Sequence, residues 1–186
     1  MSRVVFLLEE PSMKALLEAL LPRLIPGLDF LLVPHEGKSD LEKSILRKLK
    51  AWNEPGVRFV VVRDNDNGDC GRIKKGLRAL CEQGGRPDTL IRIACQELEA
   101  WYLGEPEALA DAYGNAKLVK LAGKAKFRDP DVLAKPSVEV ESLVPEFQKL
   151  AGARLLGPKL TEERNRSKSF RCFVAGVRRL ALDTAP

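Results

Sequence analysis

Apolar and polar positions alternate between two periods along the first hundred residues. Short unbroken apolar runs at Arg3 to Leu8, Leu28 to Val33, Val57 to Val62 and Leu90 to Ala94 have the length and β-branched content of buried strands. Between them lie helical stripes. Met13 to Leu24 sets Leu16, Leu17, Leu20, Leu21 and Leu24 on one face, with Ser12 as N-cap and Pro26-Gly27 as the stop. Ser39 to Trp52 follows, with Ser39 and Glu42 spaced as a capping box, and then Ile73 to Cys81, closed by Gly84-Gly85. The order βαβαβαβ predicts a mainly parallel sheet of about four strands flanked by helices. Beyond Glu99 the strand signal stops. Helices are expected at Pro106 to Tyr113, Ala116 to Ala122, Val138 to Leu150 and Ser169 to Ala181, with an ordered proline-bearing loop over Lys124 to Ser137. The expectation is one α/β domain over residues 1–186, a sheet core at 1–103 and a helical and loop extension at 104–186.

That pattern places acids where the strands give out. Glu9-Glu10 ends the first run, Asp64-Asn65-Asp66-Asn67-Gly68-Asp69 the third, and Glu97-Leu98-Glu99 follows the fourth. In an open parallel sheet, ligands bind outside the carboxyl ends of the strands. Acids gathered there from three strands would form a cation site. In an extended chain Asp64 and Asp66 would point the same way and Asn65 away. Each feature has an ordinary structural alternative: Asp-x-Asp as a polar turn, Glu9-Glu10 as acids at a helix N-terminus. Glu97 and Glu99 stand side by side in the pattern, and the sequence leaves open which of them faces the crevice.

The 186 residues are 45% hydrophobic, enough for one continuous core. No apolar stretch reaches the roughly 18 residues of a membrane span and nothing resembles a signal peptide, so a cytoplasmic protein with no membrane contact is expected. Cys70, Cys81, Cys95 and Cys172 are scattered and His35 is the single histidine. A thiolate or imidazole zinc site is therefore unsupported, and a bound metal should be hard and oxygen-liganded. Calcium by an EF-hand loop is excluded, because Asp69 stands where glycine is needed and Lys75 where glutamate is needed. A P-loop ending in Gly37-Lys38-Ser39 is excluded by Leu32 at its first glycine. Trp101 and Tyr102 read as core. The net charge of +5 comes from bases late in the chain, either a solvated face or a surface for phosphates, with nucleic acid as the expected partner. Lys38 and His35, after the second strand, lie beside the proposed crevice.

A strand ending in Glu9 and a later one ending in Asp64-x-Asp66 resemble the Toprim domain of topoisomerases, primases and overcoming-lysogenization-defect nucleases. Leu8 to Ser12, Gly37 to Leu41, Arg63 to Cys70, Ala94 to Gly104, Asp129-Pro130-Asp131 with Lys135-Pro136, and Arg164 to Phe170 are similar to a bacterial family of small Toprim-like proteins, some of which accompany retron or defence genes. The resemblance implies Mg²⁺ or Mn²⁺ and phosphodiester hydrolysis, with Glu9 as acid or base and Glu9, Asp64 and Asp66 as metal ligands. It also implies Asp69, Glu97 and Glu99 as further ligands, and Lys135 or Arg166 neutralising developing charge. Lys38, Arg164, Arg166, Lys168 and Arg171 would guide nucleic acid. Glu10 replaces the glycine common in Toprim domains, so either the turn differs or Glu10 supplies a ligand. The rival expectation is a non-catalytic subunit that binds nucleic acid or a partner encoded nearby.

Overall fold

A computed structural model describes residues 3–182. Four parallel strands form one sheet: β1 (Val4–Leu8), β2 (Phe30–Pro34), β3 (Arg58–Asp64) and β4 (Leu90–Ala94), in the order β2-β1-β3-β4. Helices α1 (Pro11–Leu24), α2 (Lys38–Ala51) and α3 (Cys70–Gln83) make the crossovers. The α/β class and the parallel sheet expected from the apolar runs are what the chain adopts.

The central strands are buried on both faces, which is why they lack alternation. Val4, Phe6 and Leu8 of β1 join Val60 and Val62 of β3 in one core, under α1 and the later helices. Val5 and Leu7 join Phe59 and Val61 in a second core, under α2 and α3. Residue-by-residue alternation thus serves two layers at once. The edge strand β2 is thinner in cover, and Leu31 stands 40% exposed.

From Glu99 onward the chain is helical: α4 (Glu99–Leu103), α5 (Pro106–Tyr113), α6 (Pro136–Leu143), α7 (Lys149–Leu156) and α8 (Lys168–Leu182), with 3₁₀ turns at Ala116–Gly123, Ala125–Phe127 and Pro130–Val132. Three expectations are corrected here. The helix expected over Val138 to Leu150 is two helices, because Pro145 cannot continue the hydrogen-bond ladder and Val144 leaves helical geometry at φ −135°. The Ser39 and Glu42 capping box does not form: α2 is capped by Gly37 at φ 96°, and Glu42 turns instead to Arg63. Ser12, expected as an N-cap, lies inside α1, where its hydroxyl donates to the Glu10 carboxylate.

The helical half is joined to the sheet through buried aromatics. Trp101, 1% exposed, packs against Phe170 and Phe173 of α8 at ring-centroid distances of 5.3 and 5.1 Å. Tyr102 is buried as well. Among the described residues no helix is long and apolar enough to cross a membrane.

Candidate functional site

In a sheet ordered β2-β1-β3-β4 the chain runs from β1 outward in both directions, so the crevice lies above the carboxyl ends of β1 and β3. Glu9 immediately follows β1 and Asp64 ends β3. The two are joined directly: the Asp64 N–H donates to Glu9 Oε2 at 3.0 Å, and the Glu9 N–H donates to the Val62 carbonyl at 3.1 Å. Both side chains are buried. Residues 55 apart in the chain are thereby fixed at one point.

The turn after β3 departs from the extended chain expected. Asp66 and Asn67 take left-handed φ of 46° and 61°, conformations that asparagine and aspartate tolerate better than most residues. Asn65 is buried, donating to the Gly68 carbonyl at 2.9 Å and accepting from the Gln96 N–H. Asp66 N–H donates to the Gln96 carbonyl at 3.0 Å, and Asn67 N–H to Gln96 Oε1 at 2.9 Å. The loop after β3 is therefore laced to the loop after β4. Asp64 faces the interior, whereas Asp66 is half-exposed and meets Lys38 Nζ at 3.3 Å.

Glu99 completes the cluster from the first turn of α4. It is 1% exposed, and neither of its carboxylate oxygens has a hydrogen-bond donor among the described residues. Asp64 Oδ1 is likewise buried and unpartnered, as is the Tyr102 hydroxyl. Burial holds the Glu99 carboxyl up at about 7, with Glu10 and Glu97 adding repulsion and Lys149 opposing it. Burial also raises Asp64 well above the ordinary aspartate range, reinforced by Glu10, Glu9, Glu99 and Asp66. Glu9 is raised by burial too, against the Asp64 N–H and Arg63, which lower it. Five carboxylates thus act on Asp64 or on one another across one crevice.

Three cations meet this charge. Arg63, buried on β3, places Nε 3.8 Å from Glu9 Oε2 and bonds Glu42 at 2.5 Å. Lys149, at the start of α7, lies 3.9 Å from Glu10 Oε2 and 3.8 Å from Glu99 Oε1. Burial works against its ammonium, yet Glu99, Glu10, Asp64 and Glu97 outweigh that and raise its pKa. Lys38 is the third. Among the described residues, no three acidic, histidine or cysteine side chains stand close enough together to ligate one ion as they are placed. The donor chemistry nevertheless suits a hard cation: carboxylate oxygens, three of them buried without a donor.

The other expected site residues have more ordinary surroundings. Asp69 caps α3, accepting from the Arg72 N–H at 2.6 Å. Glu97 accepts from the Ser137 N–H at 2.7 Å, tying the start of α6 to the crevice rim. Lys135 is exposed beside Ala134, whose carbonyl accepts from Asn67 Nδ2 at 2.8 Å, so it borders the aspartate turn. His35 is buried, with Nδ1 2.8 Å from the Leu8 carbonyl and Nε2 2.5 Å from Ser44 Oγ; it braces β2 and α2 and does not reach solvent. Arg164 pairs with the fully buried Glu105 at 2.8 Å, and Arg166 donates to the Ala122 carbonyl at 2.9 Å. Lys168 and Arg171 are exposed on α8.

Sequence reasoning did not assign Arg63 or Lys149 to the site. Arg63 directly precedes Asp64 in the chain, a visible signal. Lys149 is brought in by packing of α7 on α1, and local pattern carries no trace of that.

Fold and site together define a doubly wound α/β protein with a carboxylate crevice at its switch point. Residues 8–178 match the profile of the family described as Domain of unknown function (DUF4276), and the chain belongs to that family. No curated protein and no solved structure matches the chain.

Proposed function

We propose that this protein binds Mg²⁺ or Mn²⁺ in the carboxylate crevice and hydrolyses phosphodiester bonds of nucleic acid, in the manner of the Toprim domains it resembles. The observation that carries the proposal is the set of orphaned acceptors, Asp64 Oδ1 and both oxygens of Glu99. A buried acceptor without a donor costs about 1–3 kcal/mol, and more when charged, so such groups call for a partner from outside the chain, an ion or an ordered water. Side chains that do not converge as they stand would have to rotate, Glu9, Asp64 and Asp66 to hold one ion and Glu10 and Glu99 to help with a second. Such ions lower the pKa of bound water and neutralise phosphate charge.

The protein's own groups do the rest. Glu9 Oε2 is committed to the Asp64 N–H, which fixes the carboxyl and leaves Oε1 to accept a proton. Burial raises its pKa, the direction that makes a carboxylate a better proton acceptor. Lys149, held by Glu10 and Glu99, and Lys135, beside the aspartate turn, would neutralise charge that develops on phosphate oxygens. Cleavage of an end-labelled oligonucleotide in Mn²⁺ tests the reading. The wild type should cut, and Asp64→Asn should lose the activity by at least about a hundredfold. Equal cutting by both would make the crevice irrelevant.

A second reading is a non-catalytic subunit that grips nucleic acid, or a protein encoded nearby in a defence or retron system. It is favoured by the cations Lys38, Arg63 and Lys149, which already oppose the carboxylates. Salt-dependent binding with no metal-dependent turnover would select it.

A further inference from the structure

A cavity of about 510 Å³ opens between α8, α3 and β4, with Cys95 of the loop after β4 in its lining. Its floor is apolar, with Ile93 and Ala175 among its lining, and its walls carry Lys74, Arg92, Lys168 and Arg179. One carboxylate lies there, Asp131, and it is already engaged: Oδ1 accepts from the Ser167 hydroxyl at 2.6 Å and Oδ2 from the Ser169 N–H at 2.7 Å. Lys74, Lys168 and Arg179 form no ion pair among the described residues. Among the described residues, four cationic side chains therefore share this concavity with a single carboxylate.

Arg92 is built into this cavity. Its Nε donates to the Cys172 carbonyl and its Nη1 to the Ile91 carbonyl, each at 3.0 Å, while Nη2 has no acceptor among the described residues. The room for its guanidinium comes from Gly176, where a Cβ would overlap it. Burial, with Arg179 nearby, lowers its pKa, yet an arginine stays charged. A guanidinium fixed by two backbone carbonyls, with Nη2 unpaired among the described residues, holds its remaining donors in a set direction, as phosphate recognition requires.

We propose that this cavity binds a nucleotide unit of a nucleic-acid strand, with phosphate oxygens on Arg92, Lys168, Arg179 and Lys74 and the sugar and base against Ile93 and Ala175. The mixed lining selects this ligand over a bare anion, since a phosphate alone leaves the apolar floor unused. Cys95 lines the cavity, and its neighbour Gln96 takes the Asp66 N–H, so a strand leaving the cavity passes directly to the crevice. Binding here needs neither metal nor turnover; only this alignment with the crevice rests on the cleavage reading.

The test is fluorescence anisotropy of a labelled single-stranded 12-mer with the full chain, without divalent ions, across a range of salt. Lys74→Gln combined with Lys168→Gln alters two exposed side chains that hold nothing in the fold. The double variant should bind at least about tenfold more weakly and lose about 1.4 from the slope of log affinity against log salt, at about 0.7 per phosphate contact. Arg92→Gln should weaken binding as well, with its melting temperature recorded alongside. Unchanged affinity and slope in the double variant would overturn the site, as would failure of the wild type to bind. Equal competition by a free mononucleotide or by inorganic phosphate would overturn the strand as its ligand. Asp64→Asn should bind the 12-mer as the wild type does, so loss of cutting in that variant and loss of gripping in the other report on the two sites separately.

Discussion

Two buried polar clusters lie side by side at the carboxyl edge of the sheet, and they are satisfied in opposite ways. The cluster under α8 is closed. Asp131 takes donors from Ser167 and Ser169, the Ser169 hydroxyl accepts from Trp101 Nε1 at 2.9 Å and from the Cys95 N–H at 3.2 Å, and Asn165 links the Trp101 carbonyl to the Ser167 N–H. A network with each of these members bonded fixes one arrangement and stiffens it. The crevice cluster a few residues away is open: among the described residues Asp64, Glu99 and Tyr102 keep buried oxygens without partners, and Lys149 approaches Glu99 without forming a hydrogen bond to it. The closed cluster fastens the helical half to the sheet. The open one leaves acceptors unanswered among the described residues.

Breaking each cluster should therefore have opposite consequences. Asp131→Ala orphans the Ser167 and Ser169 donors and should lower stability by about 3 kcal/mol, seen as a reduced urea midpoint with an unchanged slope. Glu99 acts the other way. Its folded carboxyl keeps its proton up to about 7, whereas the unfolded chain releases it near the ordinary 4.5. Between those values the unfolded state binds fewer protons, so stability falls as pH rises through the window and levels off above it, by roughly 3 kcal/mol in all. Glu99→Gln should flatten that decline, measured by urea unfolding at pH 5 and pH 8. A wild-type stability that rises over the same window would mean that Glu99 is not held protonated.

Smaller effects separate the cations. Lys149→Gln removes the charge that opposes the rise at Glu99, so the wild-type decline should shift to higher pH in that variant. Lys38→Ala breaks a pair whose side chains are 58% and 43% exposed, and stability should change by less than about 0.5 kcal/mol.

The same contrast explains what could be read from residues alone. Val4 to Leu8 and Val57 to Val62 declare buried strands because their apolar content is local, and β4 at Leu90 to Ala94 falls where its apolar run lies. The acids at strand ends were legible for the same reason, since topology brings every parallel strand's carboxyl end to one edge. What local pattern could not carry is competition between partners. Ser39 and Glu42 have the spacing of a capping box, but Arg63, buried and in need of counter-charge, draws Glu42 away. Asp64-Asn65-Asp66 alternates as an extended chain would, but Asn65 is claimed by the backbone of Gln96 and Gly68, and the chain turns at Asp66. His35 reads as a crevice residue and is instead held between Leu8 and Ser44. Lys149 enters only because Pro145 splits a helix and lets α7 start anew beside Glu10.

Capacity for a divalent ion is the property on which the functional reading turns, and Mn²⁺ reports on it without any assumption about substrate. The electron paramagnetic resonance signal of free aqueous Mn²⁺ should fall on titration with the wild-type protein and persist on titration with Asp64→Asn, each confirmed folded by circular dichroism. A signal that falls equally with both proteins, or with neither, would contradict a cation site at the ends of β1 and β3.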